Sequence, residues 1–460
     1  MKRANIFFIL VFISVKILAI DTVAVKIIGD GVKYYHLKTE EPNNIYILKV
    51  DLTLDNKIKL GIANDRIGNE GATVNEMSKN LSKNNFVFAG VNADFFGGSP
   101  YQFENSMVID GEFAKGINIG RSLFAVSEDN VPMIDTIKFF GTIINGKDTI
   151  SVTSLNDEND SLVCLYNKYY NIKQKLDDEE VAVLLKPESA FRLNILQKYR
   201  IVNLFYNSIP KFLYVDKYLL IMPKKLLNNN PFVIGDTLSL SLGLSADLKN
   251  IKQMIGGLPK ILRSGKEIEN FAGHEGINNS GFFGKNPRTA IGYDQAKKYL
   301  YIVAIDGRDN TNSIGMTLPE LSKFMKDLGC YEALNFDGGG STTMVIRDST
   351  VNKPTDLTGE RKVFNSLFLC AKNITPDIFN SIKVSTSKTD LKLYEKVDLV
   401  IEAHDCWGFT SFINSENINF CYDNNLCFIS NNELIANKSG ITTIKWNFGK
   451  FNGEFTIKID

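Results

Sequence analysis

Asn335, Asp337 and the run Gly338-Gly339-Gly340-Ser341-Thr342 place an amide, a carboxylate, a glycine turn and two hydroxyls in one short block. Three glycines after a strand can turn main-chain amides toward one point, a nest for a phosphate or a developing oxyanion. The Ser341 and Thr342 hydroxyls would add donors. The block lacks the Lys-Ser/Thr ending of a Walker loop, which argues against nucleotide hydrolysis. Two further blocks have the same character: Asn92-Ala93-Asp94-Phe95-Phe96 with Gly97-Gly98 after it, and Asn286-Pro287-Arg288-Thr289-Ala290-Ile291-Gly292. Each polar block follows or precedes an apolar run, so side chains from several strand ends can converge on one cleft.

The chemistry these residues allow is narrow. Arg288 and Arg308 can clamp an anion through two parallel hydrogen bonds. Asp94, Asp306 and Asp337 can act as general acid, general base or nucleophile, or ligate a hard cation such as calcium. Taken singly, each has a plainer meaning: an exposed ion pair for an arginine, a turn or cap for an aspartate. His274 lies near the Arg288 block, yet without a matched partner it reads as a solvated loop residue.

The elements that must position these residues can be read from local pattern. Thr73 with Glu76 forms a capping box that opens a helix through Leu81, and Phe86 to Val91 is a short buried strand leading into Asn92. Tyr299 to Ile305 reads as a strand ending at Asp306. A helix follows from about Thr317, with Pro319 in its first turn, Leu321, Phe324, Met325 and Leu328 at helical spacing, and Gly329 at its end. This strand, helix, strand unit delivers Asp306 and Asp337 to neighbouring strand ends. The expected fold class is therefore an α+β (mixed α/β) catalytic domain over residues 20–375, with a central β-sheet and flanking helices. Residues 139–250 read as added β structure. Short alternating strands over residues 380–460 suggest a small C-terminal all-β, Ig-like sandwich serving as an accessory module.

Size and composition bound the remaining choices. A chain of 460 residues exceeds what one core sustains, so two domains are expected. Lys+Arg and Asp+Glu both number 52, and this balance gives no support to a nucleic-acid partner. Residues 1–19 have the layout of a signal peptide: Lys2-Arg3, an apolar run from Ile6, and Ala19 at the cleavage point. Export to the periplasm or the exterior is expected, with no transmembrane segment in the mature chain. The six cysteines are too scattered for a disulfide scaffold, although Cys406, Cys421 and Cys427 cluster closely enough for one pair. Three histidines, none spaced with cysteine, argue against structural zinc.

Seven blocks in order resemble the phosphodiester glycosidase family: NADFF at Asn92, GGLPKILRSGK at Gly256, NPRTAIGYD at Asn286, IVAIDGR at Ile302, GMTLPELSKFM at Gly315, LNFDGGGSTTMV at Leu334 and RKVFNSLFL at Arg361. The resemblance covers roughly residues 80–372 and is loose over 139–250. It implies a secreted hydrolase that cleaves a sugar-1-phosphodiester, of the N-acetylglucosamine-1-phosphodiester type, to free sugar and a phosphate monoester. By this resemblance Asp337, Asp94 and Asp306 are the catalytic candidates. Asn92, Arg288, Arg308, Asn335, Gly339, Gly340, Ser341, Thr342 and Asn365 are the substrate-binding candidates. Many members carry Asn-Gly-Gly-Phe-Phe where this chain has NADFF, so Asp94 adds a carboxylate they lack. The expected partner is a carbohydrate or sugar phosphate; no cofactor is required, and a calcium ion remains compatible with the carboxylates. The alternatives are a glycosidase acting on a non-phosphorylated exopolysaccharide or glycan, and a non-catalytic carbohydrate-binding envelope protein.

Overall fold

The computed structural model describes residues 20–460 except 55, 98–101, 158–161, 173–174, 212, 228–229, 247, 272–274, 276, 278–281 and 372–373. The proposed signal peptide, Gly98 and His274 lie outside the described residues.

The region expected to be catalytic is built mainly from strands, which overturns the expectation of helices flanking a central sheet. Strands hold 51% of the residues and helices 9%, so strand pairing, not helix packing, makes the core. Among the described residues two α-helices occur, Val74–Ser82 and Leu318–Asp327, each opened by a complete capping box. Thr73 and Glu76 cap the first; Thr317 and Glu320 cap the second, with Pro319 in its first turn. Among the described residues no helix is long and apolar enough to cross a membrane.

Two antiparallel sheets carry the residues of interest. The first runs in the order Ile20–Gly29, Val32–Thr39, Asn44–Asp51, Tyr299–Ile305, Arg288–Tyr293, Glu332–Asn335, Lys260–Arg263, Lys266–Glu267. Tyr299–Ile305 and Glu332–Asn335 are not direct neighbours, since Arg288–Tyr293 lies antiparallel between them. Pairing of Arg288 with Ile305, and of Ala290 with Asn335, still sends Asp306 and Asp337 out of the same edge of the sheet. The second sheet orders Ser349–Thr350, Met344–Ile346, Val87–Asn92, Asn365–Ala371 and Asn56–Ile62. There Ser366 pairs with Asn92, so Asn92, Asp94 and Asn365 meet at one end. Val23, Val25 and Ile27, which alternate along the first edge strand, are exposed rather than buried.

Residues 139–244 contribute all the strands of a separate eight-stranded sheet with its own core, including Phe139, Val183, Tyr199, Leu220 and Leu240. From Phe379 onward the chain forms two further sheets that enclose Leu391, Cys427, Leu434, Ile444 and Ile457. This end is joined to the catalytic region by Arg347. Its Nη2 donates to Ile28 O at 2.7 Å and to Asp405 Oδ2 at 2.8 Å, and its Nη1 donates to Val87 O at 2.9 Å. The guanidinium lies 4.6 and 4.7 Å from the ring centroids of Phe86 and Phe88. All six cysteines are free, so packing of this kind holds the parts together.

Candidate active site

Asp337 follows the last strand residue, Asn335, and is tied at once to the second sheet. Its N–H donates to Ala93 O at 2.8 Å, and its carbonyl accepts from Asn92 Nδ2 at 2.6 Å. Asn92 Oδ1 in turn accepts from Thr289 Oγ1 at 2.8 Å and from Thr343 N at 3.1 Å. Asn92 is thus a buried clasp between the sheets, with its amide fully engaged. Asn335 plays a similar part, donating from Nδ2 to Leu258 O at 2.6 Å. Burial pushes the Asp337 carboxyl up to about 6, against the lowering effect of the Ser341 hydroxyl, Arg361 and the Gly338 amide.

The glycine turn is not the open amide nest its sequence suggests. The amides of Gly339, Ser341 and Thr342 donate to Pro287 O, Gly338 O and Gly339 O at 2.9, 3.1 and 3.3 Å. The Gly338 amide serves Asp337. What the glycines provide is close approach. A Cβ on Gly339 would lie 2.9 Å from Arg308 Nη2, and one on Gly340 would lie 2.3 Å from Arg361 Nη2 and from Asp356 Oδ1. Ser341 and Thr342 are buried behind the turn.

The two arginines singled out by sequence separate sharply. Arg288 is 4% exposed, and it spends Nε on Met316 O and Nη2 on Phe282 O and Gly284 O. Desolvation lowers its pKa to about 10. It anchors the preceding loop, and its donors are not presented as an anion clamp. Arg308 is exposed, takes a left-handed φ of 61°, and bonds only the neutral Asn286 Oδ1, at 3.3 and 3.1 Å. Arg361, inside a block noted in the sequence but not singled out, pairs both ways with Asp356 at 2.6 and 2.8 Å. Among the described residues, Arg308 is therefore the guanidinium at this turn that no carboxylate neutralises.

The remaining carboxylates also differ. Asp306 is buried and accepts from Tyr46 Oη at 3.0 Å, Asn352 Nδ2 at 3.1 Å and Lys353 N at 2.9 Å. Asn352 Nδ2 also donates to Thr342 O at 3.0 Å, so Asp306 braces the glycine turn from behind. Burial raises its pKa. Asp94 is 3% exposed and accepts from Asn105 N at 2.9 Å and Asn105 Nδ2 at 2.5 Å, while its own N–H donates to Asn365 Oδ1 at 2.9 Å. Burial pushes its carboxyl up to about 7. No group of three or more His, Cys, Asp or Glu side chains suited to a metal ion occurs among the described residues.

Glu104 and Arg121 carried no sequence signal. Glu104 N donates to Phe95 O at 2.9 Å and so follows the short hairpin of Phe96–Gly97 with Gln102–Phe103. Its charge raises the pKa of both Asp94 and Asp337, and its carboxylate pairs with Arg121. Only the hairpin brings it to the site, and no motif spacing marks it.

Residues 225–370 match the phosphodiester glycosidase family. The match contains the blocks from Gly256 to Leu369, so the resemblance carried by those motifs holds. Among curated proteins, N-acetylglucosamine-1-phosphodiester alpha-N-acetylglucosaminidase of Bos taurus is 30% identical over 112 residues, covering 23% of this chain and 21% of that protein. The Homo sapiens protein of the same name is 38% identical over 69 residues, covering 15% of this chain and 13% of that protein. The aligned stretches thus span about a fifth or less of those relatives. A hypothetical protein from Synechocystis shares the fold with a TM-score of 0.60 and 16% identity, covering 77% of this chain and 64% of that one.

Proposed function

We propose that this chain is an exported hydrolase that cleaves a sugar-1-phosphodiester between the anomeric carbon and oxygen, releasing free sugar and a phosphate monoester. The observation that carries the reading is the Arg308 guanidinium lying against Gly339, in the same turn that follows the buried carboxyl of Asp337. Glycosidic cleavage passes through an oxocarbenium-like state, which a carboxylate on the ring side stabilises. Asp337 would take that role. The departing phosphate oxygen gains negative charge, and a fixed guanidinium answers it without reorganising. A phosphodiester is already a good leaving group, so this neutralisation replaces strong proton donation. Water supplies the hydroxyl that ends on the sugar, and the phosphate monoester keeps the bridging oxygen.

Asn92, Asn335, Asn365 and Asp306 hold the turn and the two sheets in register for this chemistry. Arg288 holds the loop that precedes its own strand. The family match over residues 225–370 supports the reaction class. Asp337→Asn keeps the shape of the side chain and removes its charge, so kcat should fall by orders of magnitude with the fold intact. Full activity in that variant would contradict the proposal, and unchanged glycan binding without turnover in the parent would favour a carbohydrate-binding protein.

A further inference from the structure

Glycoside hydrolysis needs a second group to take the proton of the attacking water, and Asp94, a catalytic candidate from the sequence, is poorly placed for it. It is enclosed, and its two oxygens accept from the amide and side chain of Asn105. Those bonds instead fix the segment that bears Glu104. The Glu104 side chain is 36% exposed and opens on a cleft of about 630 Å3, shared with Gln102, Phe103, Lys115, Arg121 and Asn118. Gln102 adds an independent sign that the cleft takes a polar ligand. It is 6% exposed, and its Oε1 has no hydrogen-bond partner. A buried amide oxygen left unpaired is destabilising, and a sugar hydroxyl bound there would relieve it.

We infer that Glu104 is the water-activating carboxylate of this site, acting with Asp337, and that the cleft on its side receives the sugar. This rests on the proposed hydrolase reading. The bonds from Asp337 N to Ala93 O at 2.8 Å and from Asn105 N to Asp94 Oδ2 at 2.9 Å hold the segment bearing Glu104 against the segment that meets Asp337. The Arg121 ion pair holds its carboxylate, and Gly97 leaves room beside it, since a Cβ there would lie 3.4 Å from Oε1. In the reaction the water oxygen bonds to the anomeric carbon as the bond from that carbon to the bridging oxygen breaks. The water proton passes to Glu104, and the bonding pair leaves on the phosphate. Asp94 is then a positioning residue, acting through Asn105. Arg308 and Glu104 line different clefts, so Arg308 would serve the phosphate and Glu104 the water and sugar.

The test is steady-state hydrolysis of a sugar-1-phosphodiester by the full chain and three variants, with and without sodium azide. Glu104→Gln should lower kcat by about 10²–10⁴-fold with little change in KM. Azide should restore turnover and yield the glycosyl azide, because an anion needs no base. Arg121→Gln removes the ion pair and keeps the carboxylate, so its loss should be less than about tenfold. Asp94→Asn, whose effect runs through Asn105, should show no azide rescue. An active parent with an equally active Glu104→Gln overturns this inference alone, as do equal losses without rescue in Glu104→Gln and Arg121→Gln, which would make the pair a strut. A parent inactive on phosphodiesters and on plain glycosides overturns the hydrolase reading itself.

Discussion

Arg308 packs against the bare α-carbon of Gly339, where a Cβ would stand 2.9 Å from its Nη2. Gly339 also holds a φ of 60°, so side chain and backbone both require glycine there. Arg308→Ala should lower kcat/KM on a sugar-1-phosphodiester by about 10²-fold, the scale of losing one charge-stabilising donor. On an uncharged aryl glycoside the loss should stay below about tenfold. Gly339→Ala should act in the same direction by displacing the guanidinium, with about 1–2 kcal/mol of added backbone strain. Parallel kinetics on the two substrates check both, and equal losses on both substrates would remove Arg308 from phosphate recognition.

Arg288 should behave differently although it belongs to a similar motif. Its three bonds to main-chain carbonyls are made by a planar fork that lysine cannot reproduce. Arg288→Lys should therefore lower stability by about 2–3 kcal/mol in urea unfolding. It should weaken activity on charged and uncharged substrates alike. Sequence places Arg288 and Arg308 on equal terms, as basic residues near glycines. Burial separates them, and burial depends on how the loop Phe282–Asn286 folds back, which no local pattern records.

The same contrast runs through the rest of the molecule. The caps at Thr73 and Thr317 were legible because a capping box is a bond between residues three apart. The mainly β character of residues 20–375 was not, because antiparallel pairing of Asn44–Asp51 with Tyr299–Ile305 joins segments far apart in sequence. One strand, helix, strand unit was extended to a whole domain that does not repeat it. The glycine turn showed its importance in sequence but not its use: its amides are consumed by Pro287 and its own carbonyls. Glu104 could be found only by following the hairpin that returns it to Asp94.

Asp94 makes stability depend on pH. Its folded pKa, about 7, lies above the ordinary carboxyl value of 3.8, so the folded state holds a proton that the unfolded chain releases. This contribution is fully present below pH 4 and is lost as pH rises toward 7, by on the order of 4 kcal/mol. Asp94→Asn cannot ionise, so its stability relative to the parent should improve steadily between pH 4 and pH 7. Urea unfolding of both proteins across that range measures the slope, and a constant difference would refute the buried protonated carboxyl.

Asp405 should matter for stability and not for catalysis. It is fully buried, pairs with Arg347 at 2.8 Å, and accepts from Trp407 N and Phe409 N at 3.0 and 2.9 Å. Asp405→Ala leaves a guanidinium buried without its counter-charge, which should cost about 3–5 kcal/mol. Arg347 follows Met344–Ile346 at the end of the strand pair away from Asn92, so kcat per folded molecule should be unchanged. Calorimetry with an active-site count separates the two effects.

The most direct measurement offers the purified protein a sugar-1-phosphodiester and the matching aryl glycoside, and identifies the products. The account predicts free sugar with a phosphate monoester, formed at a higher kcat/KM than the aryl glycoside gives. Activity confined to the plain glycoside, or phosphorus left on the sugar after cleavage, would contradict it.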